Sequence, residues 1–244
     1  MSQSTKAVTL IEKEHAGDKN YLELPAKDLL EAFGKGSHIP GSGSAAAFSG
    51  LMAIELMKTV VQLSMSKSEY DRYRGEFELI LNRLTETAKL DFTNYFNNDI
   101  KIFHKVSYHR RLRDTAKTEG KKNEHRLLAN ELLREATDIP LDLCENALDL
   151  LPTGFIIFDN GFKGARGDSG VAISNLLSAA QGALFIVFLN LRTFQKSKWK
   201  DERMERAVDL ATRFTKLQKD AYSRVVTLYN ENTDSKQLTL DFYK

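Results

Sequence analysis

An acidic side chain interrupts the apolar face of a long predicted helix. From Phe77 to Val106 apolar residues recur every three or four positions, and Asp99 stands where that spacing calls for an apolar side chain. An ionised carboxylate on a packed face is costly unless it is paired, and burial raises its pKa toward the range that suits proton transfer. The pattern therefore indicates a general acid or base at Asp99. The alternative is a helix that turns outward at this position, among the polar residues around it.

Two turns rich in small residues are each expected to lead into a helix. The first amides of a helix are unpaired and lie at the positive end of its dipole, so they can bind a carboxylate or phosphate. The first turn supplies four candidate binding residues, namely Gly41, Ser42, Gly43 and Ser44. The second turn, residues 155–170, supplies Asp168 and Gly170. For both segments an ordinary turn and helix cap is the alternative, and the first lacks the lysine of a P-loop.

A cluster of cationic side chains follows Asp99 within two or three helical turns. Its members are Lys101, Lys105, His109, Arg110 and Arg111. Such a cluster can bind an anionic substrate tail, and it can equally form a solvated helix face.

The composition argues against several classes of function. Cys144 is the single cysteine, so no disulfide framework forms within the chain and no cysteine-containing zinc site is expected. The 35 basic residues face 33 acidic ones, and a net charge of +2 gives no general attraction to nucleic acid or to an anionic membrane. Serine-hydrolase, zinc-protease, kinase and dinucleotide-binding signatures do not occur in the sequence.

Helical spacing dominates the chain, and strand signals are scarce. We predict an all-α fold, a bundle of long helices around a central uncharged helix. A neighbouring helix is expected to be kinked at Pro140, where an amide is missing. Before residue 110 we expect a helix from Pro25 to Phe33, a helix capped by Ser44 that extends to about Ser66, and a long helix capped by Ser68. Residues 110–124 are expected to form a solvated connection. After it we expect a helix that ends near Pro152, the central helix from about Val171, and a last helix through Leu228.

The central helix is uncharged from Ser169 to Leu191, a length that could span a bilayer. Polar side chains recur within it, including Asn175, Gln181 and Asn190, and they favour a buried helix of a soluble protein over a membrane span. The polar, mixed-charge N-terminus does not resemble a secretory signal, which predicts a cytoplasmic protein. We expect a mobile tail over residues 1–20, one helical domain over 21–231 and a second tail over 232–244.

The C-terminal tail contains QLTLDF, from Gln237 to Phe242, which resembles the peptides by which bacterial replication proteins bind the sliding clamp. A weak contact with a sliding clamp is one interpretation. The alternative is that Leu238, Leu240 and Phe242 pack against the helical bundle.

Five segments, in order along the chain, are similar to the motifs of one enzyme family. PGSGSAAA at 40–47 is similar to PGGGSAAA, and DIKIF at 99–103 to DxxAF. EATDIPLDLCENAL at 135–148 resembles EATEVPLEIAELAL, while GDSGVA at 167–172 and GALFIVFLNL at 182–191 resemble SDAGVA and GAALNVRINL. By these motifs the chain resembles the cyclodeaminase/cyclohydrolase family of one-carbon folate enzymes. The chain departs from the pattern at Ser42, Gly167, Ile186 and Phe188, which stand in place of glycine, serine, asparagine and arginine.

The resemblance implies a helical homodimer and a tetrahydrofolate derivative as substrate, with no metal. The implied reaction is closure of formiminotetrahydrofolate with loss of ammonia, or hydrolysis of methenyltetrahydrofolate. Asp99 would be the general acid and base, and Asp168 would orient the pterin or a water. The candidate substrate-binding residues are Gly41, Ser42, Gly43, Ser44, Lys101, Lys105, Gly170 and Asn190. The two lysines are assigned to the folate glutamate tail because that tail is anionic and they lie close to Asp99 in the sequence.

Two other interpretations stay open. The apolar residues Ile186 and Phe188 suit a protein that binds a folate or another small ligand without turnover. The QLTLDF peptide suits an interaction module that joins a larger complex.

Overall fold

The structure, a computed structural model, describes residues 19–233. Within that range every regular element is helical, which confirms the predicted all-α bundle. The QLTLDF peptide and most of the two predicted tails lie outside the described residues.

Seven α-helices form the bundle. They are α1 (Ala26–Gly34), α2 (Ser42–Met65), α3 (Arg74–Asn82), α4 (Lys89–Thr115), α5 (Glu119–Asn160), α6 (Arg166–Arg192) and α7 (Lys198–Thr233). A π-helical segment, Arg83–Ala88, joins α3 to α4. Short 3-10 helices occupy Tyr21–Glu23, Ser68–Tyr73 and Lys163–Ala165.

The central position belongs to α6, which packs against α2, α5 and α7. Charged residues occur only in its first and last turns, so its length can be surrounded by other helices without burying a charge. It runs antiparallel to α2: Gly182 lies beside Ala46 near one end of the pair, and the Phe162 amide just before α6 donates a 2.8 Å hydrogen bond to Ser64 Oγ near the other. This register fixes which residues of the two helices lie level with each other.

Several predicted helix limits were wrong. The expected connection at 110–124 is mostly helical, because α4 continues to Thr115 and α5 begins at Glu119 with Thr118 as its cap. Helix α5 continues through both Pro140 and Pro152 and ends at Asn160. The expected 155–170 loop therefore shrinks to a few residues around Gly161, since tertiary packing can hold a helix together across a proline. The long helix predicted from Ser68 is built as a 3-10 turn, α3, the π segment and α4.

Ion pairs fasten α7 along α5. Arg203 pairs with Asp138, Arg213 with Asp149 and Arg224 with Asp159, at 3.0, 2.5 and 2.6 Å, and Arg206 pairs with both Asp142 and Glu145. Exposed pairs of this kind contribute little individually, about 0–1 kcal/mol each. Their regular spacing nevertheless fixes the register of α7 on the bundle.

Two segments are long and apolar enough to cross a membrane by length and composition alone, Ser42–Met65 and Lys163–Arg192. About half of each apolar window is buried inside the chain, 50% and 44% respectively. The remaining half of each helix faces outward.

Candidate active site

Asp99 of α4 caps the N-terminus of α2. Its Oδ2 atom accepts hydrogen bonds from the Ser44 amide at 2.8 Å and from Ser44 Oγ at 2.7 Å. Ser44 is the third residue of α2, so its amide has no carbonyl partner within the helix. The expected Ser44 cap was wrong: Gly41 holds the cap position and the Ser44 side chain binds Asp99 instead. At the N-terminus of α2 the Asp99 carboxylate therefore occupies a position where the sequence predicted a carboxylate or phosphate of a ligand.

Gly43 allows this close approach. A Cβ atom built on Gly43 would lie 2.1 Å from Asp99 Oδ1 and 2.5 Å from its Cγ, far inside van der Waals contact. Any larger residue would therefore push the carboxylate away from α2. The glycine is needed for space and not for an unusual backbone angle.

Two opposing effects set the pKa of Asp99. Burial raises the pKa, while the side-chain and backbone hydrogen bonds from Ser44 lower it, and the net result is a pKa above the ordinary value of 3.8. The residue keeps part of its surface exposed, so a ligand or water can reach it. Asp99 is therefore a carboxylate suited to exchanging protons.

The turn before α2 is held in place by its own side chains. Ser37 Oγ donates a 2.7 Å hydrogen bond to the Ile39 carbonyl and accepts one of 3.1 Å from the Ile39 amide. The His38 ring meets Phe103 edge to face at 6.3 Å. Because Phe103 lies one helical turn after Asp99, this contact joins the turn to the Asp99 face of α4. His38 could not be predicted to lie here, because residue spacing gives no signal for it.

A groove of about 430 Å³ runs between α2 and α6 on the outer side of the bundle. Ser42, in the first turn of α2, lines one end of the groove, whereas neither Gly43 nor Asp99 lines it. Its lining is small and apolar, comprising Ser42, Ala45, Ala46, Ser49, Ser178, Gly182, Phe185, Ile186 and Leu189. Of these, only Ser42 and Ile186 had been singled out from the sequence.

Asp168 and Gly170 lie at the opposite end of the α2–α6 pair. They belong to the first turns of α6, near the C-terminal end of α2, whereas Asp99 sits at the N-terminal end of α2. By the α2–α6 register Asp168 lies level with Thr59, about 17 residues or about 25 Å along α2 from Ser42. A single chain therefore does not bring the two glycine-containing turns together.

Lys101 and Lys105 occupy the other side of α4 from Asp99. At 100° per residue they point about 200° and 240° away from it, and both are exposed. Neither faces a ligand held by Asp99 in the same chain. Although the two lysines are close to Asp99 in the sequence, the rotation of the helix places them on a different side of α4.

Asn190 supports the fold of α5. Pro140 has no amide, which leaves the Ala136 carbonyl without its helical partner, and Asn190 Nδ2 donates a 3.2 Å hydrogen bond to that carbonyl. This contact gives the Asn190 side chain a structural role, and its assignment as a substrate-binding residue stays a prediction.

Replacing Asn190 with Ala should destabilise the fold without removing the site. Leaving a buried carbonyl unsatisfied costs about 1–3 kcal/mol, so the free energy of unfolding should fall by that amount. The midpoint of urea unfolding should move to a lower urea concentration. Gln181→Ala, at an exposed position of α6, is the control and should unfold like the parent. Unchanged stability of Asn190→Ala would show that the hydrogen bond contributes nothing.

Within residues 19–233 no three His, Cys, Asp or Glu side chains come together as a metal site. A second depression of about 430 Å³ lies at the α4–α5 hairpin, and its charged groups pair with each other, Arg113 with Asp114 and Lys122 with Glu119.

The sequence profile of the formiminotransferase-cyclodeaminase family matches residues 25–209, which include both Asp99 and the groove. The chain belongs to this family. The predicted family membership is therefore confirmed.

Two relatives illustrate the range of the family. The chain is 24% identical over 202 residues to a methenyltetrahydrofolate cyclohydrolase of Methylorubrum extorquens, covering 83% of this chain and 96% of the relative. It is 23% identical over 197 residues to the formimidoyltransferase-cyclodeaminase of Sus scrofa, covering 81% of this chain but 36% of that longer protein.

The fold also matches a solved structure of the family. The crystal structure of formiminotetrahydrofolate cyclodeaminase from Thermotoga maritima superimposes with a TM-score of 0.73 and 19% identity. The match covers 86% of this chain and all of the other. At that identity the likeness establishes the shared helical architecture.

Proposed function

We propose that this protein is a one-carbon tetrahydrofolate enzyme, a methenyltetrahydrofolate cyclohydrolase or a formiminotetrahydrofolate cyclodeaminase, with Asp99 as its general acid and base. The observation that carries the proposal is a largely buried carboxyl group with a raised pKa, held by Ser44 in the first turn of α2, the helix that lines one side of an apolar groove. The Methylorubrum extorquens relative is named for the first of these activities, and the Thermotoga maritima structure for the second.

The hydrolase reaction needs one proton taken from water and a second given to the leaving nitrogen. Water adds to the methenyl carbon between two nitrogens and loses the first proton. The tetrahedral carbon then releases one nitrogen, which gains the second proton, while the hydroxyl group on that carbon loses its own proton to solvent as the formyl C=O forms. Asp99 can accept the first proton and donate the second. One group acting at both steps gives a rate advantage of about 10²–10⁴-fold.

The deaminase reaction passes through a similar tetrahedral carbon. The folate's anilino nitrogen, outside the pterin ring, attacks the formimino carbon and loses a proton, and the departing amino group gains one to leave as ammonia. Asp99 can accept the first proton and donate the second in this reaction as well. The position of Asp99 therefore does not distinguish the deaminase from the hydrolase reaction.

The groove suits the flat aromatic part of a folate. Its small side chains leave room between α2 and α6, and Phe185, Ile186 and Leu189 provide apolar contact. In this proposal Gly41, Ser42 and Gly43 bind a polar substrate group through the α2 turn. Asp168 lies about 25 Å along α2 from Ser42 in the same chain, so it supplies a second carboxylate only where a second copy of the chain brings it to the groove. Lys101 and Lys105 could meet a folate glutamate tail only where it extends beyond the groove.

A second candidate is a folate-binding protein without turnover. Ile186 lines the groove and Phe188 is 37% exposed, where the family usually has asparagine and arginine. Two polar contacts to substrate would therefore be missing. Binding without chemistry is the outcome that this difference predicts.

The quaternary state and location form part of the proposal. The outward, uncharged sides of α2 and α6 favour a homodimer, and the burial of their inner sides favours a soluble, cytoplasmic protein over a membrane protein. No role in nucleic-acid binding is proposed.

An absorbance assay separates the candidates. Purified protein should accelerate loss of the methenyltetrahydrofolate absorbance, or its formation from formiminotetrahydrofolate with release of ammonia. Calorimetry with the same folates is the companion measurement. Binding without either reaction would favour the second candidate, and the absence of both would refute a folate function.

A further inference from the structure

The α4–α5 hairpin carries two histidines at the same level. His109 lies six residues before Thr115, the end of α4, and His125 lies six residues after Glu119, the start of α5. Because the two helices run in opposite directions on either side of a short turn, these positions face each other. The Nδ1 atoms of the two rings are 3.3 Å apart. The hairpin therefore brings together a pair of imidazole nitrogens.

The pair closes an apolar seam between the two helices. Ile102 and Val106 of α4 pack with Leu133 of α5 in one buried cluster, and Ala129 is buried one turn nearer the tip of the hairpin. Both histidines continue the three- and four-residue spacing of these residues, and both are half-buried. Apolar side chains would suffice to close the seam, so two imidazoles at its end supply a chemistry that packing does not require.

The separation of the two nitrogens matches the coordination geometry of zinc. Zinc–nitrogen bonds are about 2.0–2.1 Å long, and a tetrahedral angle between two of them sets the nitrogens about 3.3–3.4 Å apart. A right angle, as in octahedral or square-planar coordination, would set them about 2.8–3.0 Å apart. The observed 3.3 Å therefore fits a tetrahedral ion. It is also longer than the distance of about 2.7–3.2 Å that is usual between an N–H donor and an oxygen acceptor.

Glu124 is a source of a third ligand. Burial and the neighbouring His125 lower the pKa of His109, while the charge of Glu124 raises it, so this carboxylate lies near the pair. As placed, the Glu124 side chain does not complete a group of three metal-binding residues, but it is exposed and can rotate toward the histidines. Two histidines, one glutamate and a water form an established ligand set for zinc.

Cationic residues around the hairpin lower the expected affinity. Lys105, Arg113 and Lys121 each lie one helical turn from a histidine, and a positive charge there opposes a divalent cation. Arg113 is paired with Asp114 at 2.8 Å, which offsets its charge, and the two lysines are exposed and can extend into solvent. Zinc should therefore bind more weakly here than at a closed site with four protein ligands.

We propose that His109 and His125 bind a Zn²⁺ ion through their Nδ1 atoms, with Glu124 as the third ligand and water as the fourth. The ion would fasten α4 to α5 near the tip of the hairpin. Asp99 lies ten residues earlier on α4, about 15 Å along the helix, so the ion takes no part in chemistry at that carboxylate. The zinc site is therefore independent of the proposed folate function.

Zinc titration of the full chain, purified without a histidine tag, tests the site. Calorimetry with zinc chloride should show one ion bound per chain. Loss of a residue that merely supports a ligand costs about 10–100-fold in affinity, so His109→Gln and His125→Gln should each weaken binding by at least about tenfold. Glu124→Gln should weaken it as well. His38→Gln, which removes an exposed imidazole outside the pair, is the control and should bind zinc like the wild type.

Cobalt(II) tests the coordination geometry. A tetrahedral cobalt complex absorbs visible light much more strongly than an octahedral one. Wild-type protein with cobalt chloride should show the strong bands, zinc should displace them, and both histidine variants should lack them. Hydrogen exchange adds a readout of the effect on the fold, since a fastened hairpin should exchange its amides in residues 109–125 more slowly when zinc is present.

Four results would overturn the proposal. If the wild type binds no zinc, a hydrogen bond alone joins the two rings. If both histidine variants bind zinc as tightly as the wild type, the metal binds elsewhere. A weak, octahedral cobalt spectrum would contradict the tetrahedral geometry. Unchanged binding by Glu124→Gln would contradict the ligand set.

Discussion

Asp99→Asn should lower turnover of the folate substrate by about 10²–10⁴-fold, the usual contribution of a general acid and base. The asparagine side chain keeps the size of aspartate, and its carbonyl oxygen can still accept both hydrogen bonds from Ser44. It cannot take up and release a proton. Initial rates at saturating substrate measure the effect, and folate binding by calorimetry should change much less.

The same variant has a stability effect of defined sign. Because folding raises the pKa of Asp99 above 3.8, the protonated form stabilises the folded state below that pH, and the advantage is lost as the pH rises through the raised pKa. Asparagine does not ionise. At pH 7 Asp99→Asn should therefore melt at the same temperature as the wild type or higher, and the difference should shrink toward pH 4. Full turnover in a well-folded Asp99→Asn protein would end the case for Asp99 as the catalyst.

Gly43→Ala should reduce activity while keeping Asp99 in the chain. The added methyl group would lie 2.1 Å from Asp99 Oδ1, so the carboxylate must move and at least one hydrogen bond from Ser44 must weaken. A displacement of about 1 Å at a reacting group can cost about 100-fold in rate. Overpacking should also lower the free energy of unfolding by about 1–3 kcal/mol.

Gly75→Ala is the matched control for this substitution. Gly75 also lies in the first turn of a helix, α3, and a Cβ built there meets nothing within 4 Å. Alanine at this position should leave activity unchanged and should not destabilise the helix. Equal rates for Gly43→Ala and the wild type would show that the closeness of Gly43 to Asp99 has no part in the chemistry.

The sequence was most informative in two respects: the helical spacing of its apolar residues, and the exception to that spacing at Asp99. The three-and-four spacing of apolar residues predicted the helices because it follows from the geometry of the α-helix itself. Against that spacing Asp99 stood out as an acidic residue on an apolar face, and the structure places it in contact with α2. The family was recognisable because PGSGSAAA, DIKIF and the later segments occur in the same order as the family's motifs.

Helix limits and partners were less predictable. Pro152 predicts the end of a helix, yet α5 continues through it to Asn160. Packing against α6 and α7 stabilises the helix across the proline. Asn190 resembled a substrate contact, and only the fold shows that it satisfies the carbonyl freed by Pro140, which is 50 residues earlier in the chain. Lys101 looked close to Asp99 because closeness in the sequence ignores the 100° rotation between successive residues.

The amino-acid sequence alone determined the all-α class, the uncharged central helix and the presence of an acidic residue out of pattern, since each is a property of local spacing. Tertiary structure decided which groups meet. Ser44, 55 residues away in the sequence, holds Asp99 by two hydrogen bonds, and Gly43 leaves space for the carboxylate, while Asp168 lies at the far end of the antiparallel α2–α6 pair. The direction in which two helices pack depends on contacts between distant parts of the chain, and those contacts leave no periodic signal in the sequence.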